Sequence, residues 1–291
     1  MYPLVKIINK KTGQTPLECI NELKKADLKL AHLPITYAGR LDPLAEGVII
    51  ILIGDECLKK DEYLKLPKEY EVDILFGFAT DTYDVMGKVK ASLKDQAESK
   101  AVFETVTIPT PGVGKTEEFF DFLWSGHSSS LVRGSKKLND SDVFKTVLKK
   151  FTGRIKQSYP PYSSRTVNGK PLFQWSREGK IDEIIIPAHD VFVEKIEILK
   201  KDSISGDELL SRIKKDISQV RGDFRQSEIV TLWENELENK KEEEYKIIRL
   251  KINCGSGFYV RALAHDIGIA LGIPALALKI KRTKVGEYEV T

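Results

Sequence analysis

Apolar side chains recur with a helical or a strand period over most of the chain, and the period predicts an element each time. Leu17, Ile20 and Leu23 are spaced for one face of a helix. Thr15 is a good N-cap, Pro16 suits the first helical position and Glu18 completes a capping box, so "TPLECINELKKA" predicts a helix. Lys24 and Lys25 fall at its C-terminal end, where the helix dipole favours cations. Val48–Ile53, apolar, rich in β-branched residues and closed by Gly54, predicts a buried strand. Tyr70, Val72, Ile74, Phe76 and Phe78 alternate as one face of another. A short helix is predicted over Asp142–Phe151 and stops near Gly153, before Pro160 and Pro161 hold the chain extended and Asn168–Gly169 turns it. Residues 186–199 alternate as a strand, and Ile248, Leu250, Ile252 and Cys254 line one face of a further strand. "GSGFYVRALAHDIGIALG" predicts a glycine turn and a helix ended by Gly272 and Pro274, and "RTKVGEYEV" a final short strand.

Two stretches interrupt this order: about 88–140, where periodicity is lost, and about 203–245, with an amphipathic helix over Asp207–Val220 and the charged run "ENELENKKEEE", read as solvated surface. Helices and strands mix without strict βαβ alternation. The expected class is therefore α+β, a mixed and largely antiparallel sheet with flanking helices, in a single domain over 1–291 that carries the two stretches as insertions.

Composition narrows the function classes. The chain has 291 residues, 41% hydrophobic and 31% charged, which suits a folded globular protein. Its longest apolar run is too short to span a bilayer, and the opening "MYPLVKIINKK" turns polar too soon for a signal peptide. Three scattered cysteines with no CxxC spacing give neither a metal site nor a disulfide framework, so no metal and a reducing, cytoplasmic setting are expected. A net charge of +3 permits a nucleic-acid partner without demanding one. "GVGKT" invites a phosphate-binding loop, but Pro109 stands where its first glycine is required.

Candidate chemistry concentrates at "YAGRLDPLAEG", residues 37–47. Asp42 before a proline is an ordinary turn-starter, or else a reagent set at the mouth of a buried strand. Tyr70 heads a strand with Lys68 just before it. Tyr259 and Arg261 lie two apart where a glycine turn meets a helix, and "KIKRTK" puts Lys281 and Arg282 in a basic cluster. One carboxylate, an arginine to hold it ionised and tyrosines to stack on a base make a coherent site. Asp81 and Asp84 offer a second carboxylate, which a glycosidase would need.

Four blocks in order, "GRLDPLAEGV", "KEYEVDILFGFATDTYDVMG", "GRIKQSYPPYSSRTVNGKPLFQWSREG" and "CGSGFYVRALAHDIG" with "KRTKVGEY", resemble the TruB family of tRNA pseudouridine synthases. The resemblance runs from about Lys10 to Tyr288 and implies the pseudouridine synthase fold, with a central cleft for a flipped nucleotide. It implies isomerisation of uridine, at position 55 in the T-arm of tRNA, without cofactor or metal. It places the essential aspartate at Asp42, the K-x-Y motif at Lys68 and Tyr70, and the arginine that pairs with the carboxylate at Arg261, two residues after Tyr259. Tyr37 stands where the family's histidine associated with base extrusion is expected, and Arg40 replaces a small residue. With the chain ending at Thr291, RNA grip is expected from the core, the basic cluster or the insertions, in a monomer. The alternatives are a non-catalytic RNA-binding or folding factor, and the same chemistry on another RNA stem-loop. Whether Asp42 forms an ester with the sugar or takes a sugar proton to give a glycal stays open.

Overall fold

The computed structural model describes residues 4–90 and 140–290. Most of the stretch from 88 to 140, including "GVGKT", lies outside them. In chain order the strands are β1 (Val5–Lys10), β2 (Ile35–Ala38), β3 (Glu46–Ile53), β4 (Lys68–Phe76), β5 (Ala79–Thr80), β6 (Val89–Lys90), β7 (Gly153–Ser158), β8 (Thr166–Val167), β9 (Lys170–Pro171), β10 (Ala188–Ser205), β11 (Glu244–Cys254), β12 (Ala275–Val285) and β13 (Tyr288–Glu289). The helices are α1 (Pro16–Ala26), α2 (Lys60–Lys65), α3 (Asp140–Lys150), α4 (Leu172–Arg177), α5 (Gly206–Ser218), α6 (Gln226–Leu237) and α7 (Val260–Leu271). Among the described residues none is long and apolar enough to cross a membrane.

The expected α+β class is the one the chain adopts. The main sheet runs β1-β3-β12-β4-β11-β10-β7, with β2 added to β3 and β13 to β12. Among the described strands of this sheet, one pair is parallel: β12 meets β3 through Lys281–Glu46 and Arg282–Gly47. Gly47 makes that contact possible: its φ is +110°, and a Cβ there would lie 2.1 Å from the Arg282 carbonyl oxygen.

Helices cover both faces of the sheet. Tyr70, Val72, Ile74 and Phe76 of β4 and Ile248, Leu250 and Ile252 of β11 alternate toward α3 and α7, burying Phe144, Val147, Leu263 and Ile267 between them. From the opposite face Leu75, Leu276 and Leu278 meet α5 and α6 through Leu209, Ile213, Ile229 and Trp233. The capping box at the start of α1 is present in full, with the Glu18 backbone N–H donating to the Thr15 hydroxyl and the Thr15 N–H donating to the Glu18 carboxylate.

Four expectations change. Phe78 lies beyond the end of β4 and packs edge-on against Trp233, not with the alternating face. The strand over 186–199 continues to Ser205, because its second half pairs with β11. The segment read as one helix and a charged surface run holds two helices; most of "ENELENKKEEE" is exposed, but Leu237 within it is buried. The final strand is not short: β12 begins at Ala275, directly after Pro274, and lies in the middle of the sheet.

Candidate active site

Asp42 occupies the loop between β2 and β3, a segment fastened almost wholly by backbone. Its carbonyl oxygen accepts from the Ala45 N–H at 3.1 Å, a turn with Pro43 in second position. Lys10, fully buried at the end of β1, donates through Nζ to the Pro43 carbonyl at 3.1 Å and to that of Ala45. From the other side Arg282 donates to the carbonyls of Val48 at 2.8 Å, Gly39 at 3.0 Å and Arg40 at 3.5 Å. The turn therefore does not need the Asp42 side chain to close it. That carboxylate points to Arg261, whose Nε donates to Oδ2 at 2.7 Å.

Arg261 is the second residue of α7 and is 4% exposed, while Asp42 is 38% exposed. A buried guanidinium must satisfy its fork, and this one does: it donates to Asp42, to the Thr82 carbonyl and to the Tyr162 carbonyl at 3.2 Å. Asp84 Oδ2 lies 3.5 Å from the same Nε. Burial works against the charge on Arg261, and Asp42 and Asp84 more than offset it, holding its pKa above the ordinary value. Asp84 goes the other way. Burial pushes it up to about 6 against the pull of Arg261, although Oδ1 accepts from the Thr82 hydroxyl at 2.7 Å and the Met86 N–H at 2.9 Å. The pair thus presents one half-exposed carboxylate on a rigid, buried cation. A shallow pocket beside it is lined by Asp42, Leu44, Ala45, Asp84 and residues 277–280 of β12.

Tyr70 packs in the core cluster that contains Leu41 and Ala45, the residues flanking the Asp42 turn, and burial raises its phenol pKa. Tyr259 caps α7; Gln157 of β7 fixes its backbone from both sides, accepting from the N–H at 2.8 Å and donating to the carbonyl at 3.0 Å. Its ring meets Tyr159 edge-on at 5.6 Å, and Tyr159 stacks on His189 at 4.1 Å. Arg40 is exposed and donates to the Ser164 hydroxyl at 2.7 Å, joining the Asp42 loop to the strand-to-helix segment opposite.

The remaining candidates divide. Lys281 is exposed on β12, as a surface cation should be. Arg282 is not: it is 1% exposed, because β12 alternates and turns it under the Asp42 loop. It braces the loop instead of offering a charge to RNA. Lys68 is buried too; its ammonium donates to the Leu64 and Leu66 carbonyls, and burial, with Arg282 nearby, lowers its pKa to about 8. Tyr37 packs with the Ile49–Ile53 cluster and lies beneath the Lys60 ammonium, 5.5 Å from the ring centre, and its contacts do not join it to the carboxylate–arginine pair.

Sequence reasoning missed Lys10, Thr82, Gln157 and Tyr162, and set Asp84 aside. No local motif could have found them, since each acts through a backbone group or on one. Lys10 carries a measurable signature: burial lowers its pKa to about 8, only partly countered by Cys19 and Asp42. Between about pH 8 and 10.5 the folded state gives up this proton while the unfolded chain keeps it, so Lys10 adds stability as pH rises through that window. The stability of wild type relative to Lys10→Met should therefore grow by on the order of 2 kcal/mol from pH 8 to 10.5 in urea unfolding. A difference that stays constant would refute the buried ammonium.

The arrangement is that of the pseudouridine synthase fold. The chain of the solved Cbf5–Nop10–Gar1 complex superposes with a TM-score of 0.50 at 16% identity, covering 99% of this chain and 50% of that one. The chain belongs to the TruB family: the model for the N-terminal domain of the TruB family pseudouridylate synthases matches residues 28–110 and 128–222. Proteins named tRNA pseudouridine synthase B are similar along nearly all of it. That of Aquifex aeolicus is 26% identical over 285 residues, covering 98% of this chain and 69% of the relative. That of Bifidobacterium longum subsp. infantis is 25% identical over 284 residues, covering 97% and 62%. That of Parabacteroides distasonis is 24% identical over 282 residues, covering 96% and 84%. The chain thus spans somewhat under two thirds of the Bifidobacterium relative's length.

Proposed function

We propose that this chain converts uridine to pseudouridine in tRNA, at position 55 of the T-arm, with Asp42 as the group that acts on the sugar. The observation that carries the reading is the half-exposed Asp42 carboxylate fixed at 2.7 Å on the buried Arg261. The isomerisation breaks the C1′–N1 bond, turns the freed uracil, joins C5 to C1′ and moves the C5 proton to solvent or base while N1 gains one. No atom is added or lost. A carboxylate beside C1′ serves either route, as nucleophile at that carbon or as base toward C2′, and the arginine aims it. The target base has to leave its stack first, at a cost of a few kcal/mol, and stacking on a protein aromatic offsets about 1–3 kcal/mol of it. Tyr70 and Tyr259 supply the aromatics, and Arg40 and Lys281 the exposed cations. Asp84 is a poor second acid for a glycosidase, since it is buried, its Oδ1 accepts from Thr82 and Met86 and its Oδ2 faces Arg261.

The test is pseudouridine mapping by position in an unmodified tRNA transcript after incubation with the purified protein. Conversion at the T-loop uridine alone is expected. Tight binding with no conversion would favour an RNA-binding factor, and conversion elsewhere a different stem-loop.

A further inference from the structure

The helical hairpin α5–α6 reaches the catalytic pair by two separate routes, both through its connecting segment, residues 219–225. The first runs through the backbone. Gly13 packs so closely on that segment that a Cβ would lie 2.2 Å from the Gln219 carbonyl oxygen, and the Gly13 N–H donates to the Pro43 carbonyl at 2.9 Å, next to Asp42.

The second runs through Arg225. This residue holds a left-handed backbone, φ +63°, that side-chain-bearing residues rarely adopt, at the N-cap of α6. Its guanidinium donates to Asp81 Oδ2 at 3.1 Å and lies 4.7 Å from the ring centre of Tyr162. Both of those residues lead straight to Arg261. Asp81 closes the 81–88 loop, accepting through Oδ1 from the Lys88 N–H at 2.8 Å, and the next residue, Thr82, gives Arg261 its carbonyl. Tyr162 gives Arg261 its own carbonyl. The segment that carries Arg225 is itself pinned: Gln226 donates to the Gly222 and Val220 carbonyls and accepts from the Phe224 N–H, and Arg177 donates to the Asp223 carbonyl.

We infer that Arg225 is a positioning residue for the carboxylate–arginine pair, clamping through Asp81 and Tyr162 the two backbone carbonyls that aim the Arg261 guanidinium at Asp42. Its guanidinium bonds to Asp81 and lies over Tyr162, so it acts on Asp42 only through them. The inference rests on the functional reading above for its kinetic test, but not for its structural one.

Arg225→Gly removes the clamp and at the same time relieves the left-handed backbone, so folding is not the price of the change. The variant should melt no lower than wild type, bind tRNA with unchanged KM, and lose about tenfold in kcat, because sub-ångström misplacement of a reacting group is costly. Arg225→Lys, which keeps the charge on Asp81 without the planar stack, should recover to within about threefold of wild type. In amide exchange the Lys88 N–H should open about tenfold faster in the glycine variant. A kcat within twofold of wild type in the glycine variant overturns the inference, as does a loss matched by a lower folded fraction. Should the wild type convert no tRNA uridine, the functional reading falls, and exchange at Lys88 decides alone: unchanged protection there overturns the clamp.

Discussion

Asp42→Asn is expected to cost at least ~10⁴-fold in pseudouridine formation while leaving the fold and tRNA affinity unchanged. The reasons are geometric. The turn is closed by the Asp42 backbone, Pro43, Lys10 and Arg282, and none of those bonds uses the Asp42 side chain. An asparagine amide oxygen can still accept from Arg261 Nε at the same place, and Asp84 stays to balance the buried cation. What disappears is the negative charge that, on the proposed reading, acts on the sugar, and neither route to the isomer can do without it. On the proposed reading RNA is held by aromatics and cations outside this carboxylate, so affinity should remain within about twofold of wild type, and removing a charge that repels phosphate should not weaken it. Single-turnover conversion of a tRNA transcript and filter binding of the same RNA test both halves. Residual turnover above one per cent of wild type would remove Asp42 from the chemistry.

How far the sequence foretold this site depends on what each residue bonds to. Side chains that answer to period were legible: the Val48–Ile53 run, the β4 face with Tyr70, and the capped start of α1 all stand where their patterns put them. Arg261 and Asp42 are 219 residues apart, a separation that no local pattern spans. Residue chemistry suggested them as partners, and the resemblance of ordered blocks assigned the pair. Arg282 and Lys10 were illegible for another reason. Each is a buried cation satisfied by carbonyl oxygens, so no complementary acid elsewhere in the sequence gives it away, and "KIKRTK" reads as a surface run. The same run hid the centre of β12, where alternate cations face the solvent and Arg282 faces in. The hairpin α5–α6 was half-legible: Leu209, Ile213 and Ile217 mark α5, whereas α6 buries little besides Ile229, Trp233 and Leu237 in a charged sequence. Its reach to the active centre depends on tertiary packing alone.

Arg261→Met should damage both stability and turnover, and by an amount that depends on pH. The variant keeps most of the volume but removes the fork, leaving the Thr82 and Tyr162 carbonyls without their donor and two carboxylates facing each other without a cation. Breaking a buried pair in this way costs about 3–5 kcal/mol. The pH dependence follows from Asp84. Its pKa already stands near 6 in the fold against 3.8 for the free side chain, with Arg261 the main influence holding it down; without Arg261 it rises further. A carboxyl whose folded pKa is raised destabilises the fold once pH climbs above its unfolded value, and the penalty grows until the folded pKa is passed. The stability gap between wild type and Arg261→Met is therefore expected to be smaller at pH 5 than at pH 8, by about 1–2 kcal/mol in urea unfolding. Turnover should fall at least ~10²-fold at either pH, since the unsupported Asp42 loses both its charge balance and its aim. Arg261→Lys separates these two losses: it restores a cation near Asp42 and Asp84 but cannot reach three acceptors at once, so it should recover the pH profile of stability and little of the turnover. An equal stability gap at pH 5 and pH 8 in Arg261→Met would show that Asp84 does not share the guanidinium with Asp42.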